Sequence, residues 1–244
     1  MKKALIFYGG WDGHEPAQTT LRMKNILENE GFKVDRVDSQ EPLANLKYLM
    51  SMDLIIPCWT MAADGRFSVK DAGKNISLAV SEGVGLAGWH GGMCDAFRQD
   101  VNWQFMTGGQ WVSHPGGGDV EYTVNVSQGA NPIVEGISDF PVKSEQYYVH
   151  IDPAIEVLAT TRFPSVSFFN IANKPVDVPV VWTKMWGLGR VFYSSLGHLD
   201  SVFDNSPSSQ VIMTRGMLWA AGGKKYAKKN GLTSERFQNQ AKMY

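Results

Sequence analysis

Cysteine is scarce, with only Cys58 and Cys94 in 244 residues, and both sit in apolar or glycine-rich surroundings. A secreted disulfide framework is therefore excluded. An excess of charge of either sign is missing too: 23 Lys+Arg face 24 Asp+Glu, a formal net charge of −1, so no strong global field draws the chain to nucleic acid or an anionic membrane. Long apolar runs are absent. The first, Ala4-Leu5-Ile6-Phe7-Tyr8 behind the basic Met1-Lys2-Lys3, stops at Gly9-Gly10. That is too short for a signal-peptide core and far below the roughly 18 residues of a membrane helix, so a cytoplasmic location is expected. With 43% hydrophobic and 19% charged residues, disorder, collagen and coiled coil are excluded as well. Binding has to come from a local site. What the chain does have is 25 glycines and eight tryptophans, clustered in short segments that also hold most of its five histidines.

The first half alternates strand and helix patterns. Ala4–Tyr8, Phe32–Val37, Asp53–Trp59 and Val84–Trp89 read as strands, and their continuous apolar character suits parallel strands buried on both faces. Between them, Pro16–Glu30 carries Leu21, Ile26 and Leu27 at helical spacing, and Ser68–Ser81 reads as a second helix. Short connections between alternating elements imply right-handed crossovers and helices on both faces of the sheet. The expected fold is an α/β three-layer sandwich, flavodoxin-like, with a mostly parallel central sheet. Further on, the pattern predicts a helix from Cys94 to Met106. Strands are predicted over Val120–Val126, Val142–Val149, Ile155–Thr161, Pro179–Lys184 and Arg190–Leu196. They are extra antiparallel strands of the second half. A last core helix, Pro207–Ala221, presents Val211, Met213, Met217 and Leu218 to the core. Residues 1–222 read as one domain. Residues 223–244 form a basic tail holding Lys224, Lys225, Lys228, Lys229, Arg236 and Lys242, which reads as a solvated helix or an arm packing on another subunit rather than a nucleic-acid site.

In an open parallel sheet, ligands bind beyond the carboxyl ends of the strands. The rarer residues fall there. Gly10, Trp11 and His14 follow the first strand, Trp59 closes the third, and Gly88-Trp89-His90-Gly91-Gly92 turns the fourth sharply into a helix. That turn keeps the spacing of the Gly-x-Ser-x-Gly elbow but puts imidazole where a hydroxyl or thiol would attack. Imidazole suits a metal ligand, a general base or a hydrogen-bond donor better than an acyl-enzyme nucleophile. Cys94, four residues on, reads as a small packing residue. His198 repeats the strand-then-histidine pattern after Arg190–Leu196.

The segments Gly9-Gly10 with His14, Gly88–Gly92, Trp111-Val112-Ser113-His114-Pro115, Asn131–Ile137, Glu145-Gln146-Tyr147-Tyr148, Pro179–Thr183 and Gly187–His198 occur in this order and spacing. Together they make the chain resemble the ThuA-like, or trehalose-utilisation, family of the class I glutamine amidotransferase-like superfamily, over residues 3–222. The resemblance implies that His90 stands in the place of the amidotransferase cysteine and His198 in the place of its base, so glutamine hydrolysis through cysteine is not expected. Asn131 departs from the family pattern where a histidine is common. Ser144 does so where an aspartate often precedes the glutamate, which leaves Glu145 as the candidate carboxylate.

The same resemblance implies a sugar-utilisation role on trehalose, a related disaccharide or a keto-sugar. His90, His198 and Glu145 are the candidate catalytic residues and the candidate ligands of a divalent ion, zinc or manganese. The same residues also read as metal-free acids, bases and donors, or as structural histidines. Gly10, Trp11, His14, Trp59, Trp89, Gly91, His114 and Tyr148 are candidate substrate-binding residues, since aromatic walls with a few polar groups suit pyranose rings. No nucleotide cofactor, nucleic acid or membrane partner is expected, and a homo-oligomer is compatible with the pattern. Two other readings stay open: a non-catalytic sugar- or partner-binding module, and a structural subunit assembling through its tail.

Overall fold

The computed structural model describes residues 1–129, 131–167, 170–171 and 173–238. Lys242 and the side chain of Arg236, both part of the basic tail, lie outside the described residues. The strands, in chain order, are β1 (Lys2–Gly10), β2 (Phe32–Val37), β3 (Leu54–Thr60), β4 (Gly85–Trp89), β5 (Gly109–Ser113), β6 (Val120–Val126), β7 (Phe140–Ser144), β8 (Tyr148–Ile151), β9 (Glu156–Phe163), β10 (Val166–Ser167), β11 (Asn170–Ile171), β12 (Val176–Trp186) and β13 (Gly189–Ser194). Among the described residues nine of them form one sheet of order β2-β1-β3-β4-β13-β12-β9-β6-β7. From β2 to β13 every pairing is parallel. From β13 to β7 every pairing is antiparallel. The result is one mixed sheet, parallel from β2 to β13 and carrying the expected antiparallel additions from the second half. Two small antiparallel pairs, β5–β8 and β10–β11, stand apart from it.

The helices are α1 (Pro16–Asn29), α2 (Leu46–Met50), α3 (Ala72–Ser81), α4 (His90–Cys94), α5 (Val101–Thr107), α6 (Ser201–Asn205), α7 (Pro207–Ala220), α8 (Gly223–Lys229) and α9 (Glu235–Gln238). Side chains alternate across a strand, so β1 sends Ala4 and Ile6 to one face and Leu5 and Phe7 to the other. On the first face they meet Met23 and Leu27 of α1 and Ile212, Met213 and Met217 of α7. On the second they meet Ile76 and Val80 of α3 and Trp103 and Met106 of α5. Two apolar layers on one sheet are the three-layer sandwich.

Several boundaries and faces differ from expectation. The buried stripe of α1 is Thr20, Met23 and Leu27, while Leu21 faces outward at 48% exposure. The threonine is tolerated inside because its hydroxyl donates to the Pro16 carbonyl. In α7 it is Ile212 that is buried and Val211 that is exposed. The helix expected over Cys94–Met106 is two helices, broken at Asp95 and restarted at Asp100, whose carboxylate accepts from the Trp103 N–H at 3.0 Å as an N-cap. The strand expected over Val142–Val149 is also two, β7 and β8, which leave Glu145, Gln146 and Tyr147 between different sheets. The start of the basic tail packs against the end of α2, the loop before β3 and strand β13. Lys224 donates to the carbonyls of Met50 and Met52, and Arg190 lies against the rings of Trp219 and Tyr226. No helix of the described residues is long and apolar enough to cross a membrane.

Candidate active site

The carboxyl ends of β1, β3, β4 and β13 gather the candidate residues. At the end of β4 the backbone passes from extended Trp89 (φ −139°, ψ 157°) to His90 at φ +46°, a left-handed conformation that costs a non-glycine residue about 1–3 kcal/mol. Its neighbours have to be small. A Cβ on Gly92 would sit 2.8 Å from Cα of Cys58, and one on Gly91 would sit 2.5 Å from Cε1 of His14. Tyr193 on the adjacent β13 donates to the His90 carbonyl at 3.0 Å, and the Tyr147 ring stacks on the imidazole at 4.0 Å. His90 is only 1% exposed and is fixed from every side.

The orientation of that ring decides its chemistry. His90 Nδ1 lies 2.7 Å from the Ser195 carbonyl, which can only accept, so Nδ1 carries a hydrogen and Nε2 points inward. Nε2 is 3.1 Å from Glu145 Oε2 and 3.3 Å from His198 Nδ1, and those two are 3.5 Å apart. Three such atoms this close repel one another unless a hydrogen or a cation lies among them, either an N–H on an imidazole or a metal ion. Ligand atoms held at about 2.0–2.1 Å by a tetrahedral zinc lie about 3.3–3.4 Å from each other, which is the spacing found here. His14 completes the set: one ligand atom from each of His14, His90, Glu145 and His198 lies within 4.8 Å of the others. Its Nδ1 is hydrogen-bonded to the Thr60 hydroxyl at 2.8 Å. A metal-bound imidazole is ordinarily held through its other nitrogen in this way, as His90 is by Ser195. The donor set and its outer partners fit a divalent ion.

The electrostatics follow from burial and proximity. Burial, aided by the nearby His90 and His198, pushes the His14 imidazole down to about 2, so it is neutral and free to ligate. His198 is lowered by burial and by the nearby His90. Burial would raise the Glu145 carboxyl, but when positive charge lies on the facing imidazoles of His90, His198 and His114, with His90 Nε2 then donating to it, their attraction outweighs burial and brings it to about 2. Glu145 is thus a carboxylate.

Two loops carry His14 and His198, and a clamp joins them. Glu15, directly after His14, accepts from the Asp200 N–H at 2.8 Å. Arg22 of α1 grips Asp200 through two bonds of 2.7 Å and reaches Asp204 on α6 as well.

The remaining candidates divide. Trp11, His14, His114 and Glu145 line one cleft together with Met61, Asp95, Arg98, Trp111 and Tyr147. Gly91 shapes the cleft by leaving room for the His14 ring, and Gly10 (φ +82°) does so by letting β1 close on β3, since a Cβ there would fall 2.0 Å from the Thr60 carbonyl oxygen. Trp59 lies against Gly9. Trp89 is 2% exposed in the core, and Tyr148 packs edge-on against Phe163. Cys94 is buried one turn beyond His90, and burial raises its thiol well above the usual range. Cys58, also buried, is pushed up to about 12. Sequence reasoning missed Asp95, Arg98, Thr60, Tyr147 and Tyr193. The first two form a buried-to-exposed pair through bonds of 2.5 and 2.9 Å, with Arg98 lying over the Trp111 ring. Nothing in the sequence singled this pair out, because the helical pattern over Cys94–Met106 runs through both residues.

A three-layer sandwich whose fourth strand turns into a histidine elbow, with imidazoles and a carboxylate gathered over its strand ends, defines a class of α/β protein that presents histidine at a strand-to-helix turn. Within that class, the family model for ThuA, described as trehalose utilisation, matches residues 3–220, and the chain belongs to the ThuA family. Solved structures agree at the level of fold. A ThuA-like protein of Parabacteroides merdae superposes with a TM-score of 0.70 at 21% identity, covering 91% of each chain. One from Bacteroides uniformis gives 0.68 at 18% identity, covering 90% of this chain and 91% of its own. A protein of Salmonella typhimurium described as cytoplasmic gives 0.63 at 12% identity, covering 91% of this chain and 98% of its own. No curated protein sequence matches the chain.

Proposed function

We propose that the chain is an enzyme of carbohydrate utilisation that acts on a neutral glycoside carrying a keto group, through a divalent ion held by His90, His198 and Glu145 with His14. The observation that carries this reading is the inward-facing triangle of His90 Nε2, His198 Nδ1 and Glu145 Oε2, with sides of 3.1, 3.3 and 3.5 Å. When bound there, zinc or manganese supplies Lewis acidity toward a carbonyl or enediolate oxygen. The side chains do the rest. The Ser195 carbonyl fixes the tautomer of His90, and the Thr60 hydroxyl holds the His14 ring in place. His114 is 37% exposed at its side chain with Nδ1 3.5 Å from Glu145 Oε1, which leaves an imidazole free to move a proton at the substrate. A keto group acidifies the adjacent C–H, so one imidazole in reach of that proton is the minimum machinery for cleavage or isomerisation. The partner is a small neutral sugar, and a cytoplasmic location goes with it.

The test is elemental analysis of purified protein beside His90→Ala and His198→Ala, followed by incubation with trehalose and 3-keto-glycosides. One equivalent of metal, lost in both variants, with turnover of a keto-glycoside supports the reading. Metal-free protein of full activity contradicts it. A ligand-induced thermal shift with no turnover would assign the cleft to a binding module instead.

A further inference from the structure

The loop that follows the short helix opened by His90 is tied down along its length. The Asp95 N–H donates to the Gly91 carbonyl at 3.3 Å, the Ala62 N–H to the Ala96 carbonyl at 3.1 Å, and the Gln99 N–H to the Gly65 carbonyl at 2.9 Å. Ala96 and Phe97 are buried, and the Phe97 ring stacks on Phe67 at 3.5 Å. The Gln104 side chain donates to the Arg98 carbonyl at 2.8 Å. Arg98 therefore leaves a fixed piece of backbone, with its side chain 39% exposed.

The guanidinium is fixed as well. Nε and Nη2 donate to the two carboxylate oxygens of Asp95 at 2.5 and 2.9 Å, and Cζ lies 4.6 Å from the centre of the Trp111 ring. Asp95 is only 4% exposed. A carboxylate buried and paired in this way adds little stability, because desolvation offsets the attraction, but it does give the arginine a direction. One edge of the guanidinium is taken by Asp95 and one face by Trp111. The other edge, Nη1 with the second N–H of Nη2, makes no hydrogen bond among the described residues. A guanidinium holds five N–H donors in one rigid plane, so three stay available. Asp95, Arg98 and Trp111 line the same cleft of about 170 Å³ as His14, His114 and Glu145, so these donors border the space over the histidines.

We infer that Arg98 binds the substrate and that Asp95 positions it: the free guanidinium edge donates to two neighbouring hydroxyl or keto oxygens and sets the ligand's orientation against His114 and Glu145. Asp95 already matches the charge of Arg98, and Glu145 is a second carboxylate on the same cleft. The free edge thus offers aligned donors without a net positive field, which suits uncharged oxygens better than a carboxylate or phosphate. The assignment rests on the proposed sugar-processing function and adds to it a residue that decides which oxygens the ligand must carry.

Calorimetry with a methyl 3-keto-glucoside reads binding without requiring turnover. Arg98→Lys keeps the positive charge but cannot both hold Asp95 and present a planar edge, and should weaken binding about 10-fold. Asp95→Asn keeps the arginine but loosens its orientation, and should weaken binding about 3- to 10-fold. A purely structural role would disturb the neighbouring ligands too, whereas zinc affinity should stay within about twofold in both variants. Where turnover is seen, KM should rise while kcat holds, as expected for binding shared by ground and transition states. Wild-type protein supplies a check free of any folding defect. Phenylglyoxal condenses with Nη1 and Nη2, so the keto-glucoside should slow modification of Arg98, located by peptide mass, and not that of Arg162, which is 60% exposed and outside the cleft. Unchanged affinity in Arg98→Lys, equal losses for sugar and zinc, no protection of Arg98, or no binding by wild type overturns the inference. Tighter binding of methyl glucuronide than of the keto-glucoside overturns it as well. Turnover by metal-bearing protein with KM unchanged in Arg98→Lys removes the role of Arg98 and leaves the proposed function standing. Metal-free, inactive protein that binds the keto-glucoside and loses it in Arg98→Lys gives the reverse.

Discussion

Acidification should destabilise the metal-stripped protein before the Glu145 carboxylate titrates. His14 has an ordinary value of 6.5 and is held down to about 2 in the folded chain by burial and by its imidazole neighbours. Between those two values the unfolded chain binds a proton that the folded chain refuses, so stability rises with pH across that window and is lost as pH falls below 6.5. For one such group the loss between pH 7.5 and 5.5 is about 1.4 kcal/mol, and a chain of this length converts that to about 3–6 °C of melting temperature. His198, lowered in the same direction, adds to the loss. Glu145, held near 2 against 4.5, contributes stability that is present above 4.5 and declines only below it, so its effect falls in a lower window. The assay is thermal melting in chelator at pH 7.5 and 5.5 for wild type and for His14→Asn, whose amide can still meet the Thr60 hydroxyl. The variant should lose about 1.4 kcal/mol less than wild type on acidification. Identical pH dependence in the two proteins would refute the assignment of a neutral, desolvated His14.

Gly91→Ala brings a methyl within 2.5 Å of the His14 ring, and should lower stability by about 1–3 kcal/mol and weaken metal binding, read by melting and by competition with a chelator. Arg22→Gln removes the grip on Asp200, whose side chain is 25% exposed against 22% for the arginine, and should cost about 1–2 kcal/mol. Because Asp200 follows His198 by two residues, kcat should fall in this variant more than KM rises. Cys94→Ala should leave turnover unchanged, since burial keeps its thiol protonated, and activity in wild type should survive iodoacetamide. Loss of activity in either thiol experiment would restore a role for the cysteine.

The parallel half of the fold was legible because buried strands such as Leu54–Thr60 are continuously apolar, and because alternation with helices leaves few topologies. The site was legible where it falls at strand ends: His14, His90 and His198 each follow a strand and meet over the sheet. It was least legible between Ser144 and Tyr148. The run Val142–Val149 has uninterrupted strand character, and only the departure of β7 and β8 into different sheets turns Glu145 toward His90. Helix periodicity likewise could not show the break at Asp95, because the pattern over Cys94–Met106 continues across it while Asp95 is taken up by Arg98. Leu21 was misassigned to a buried face for a simpler reason. Thr20 satisfies its hydroxyl within its own helix and so occupies the core position that a hydrophobicity pattern reserves for leucine. In α7 the adjacent Val211 and Ile212 are both apolar, so their order alone does not say which of the two faces the sheet.

Everything proposed for the chemistry depends on His90, His198, Glu145 and His14 forming a divalent-ion site. Metal content per chain in protein purified without chelator, measured together with its dissociation constant after stripping and titration with zinc and manganese, settles whether they do. One equivalent is expected in wild type, with binding abolished in His90→Ala and His198→Ala and weakened in His14→Asn. Binding of neither ion by wild type, or undiminished binding in His90→Ala, would contradict the assignment.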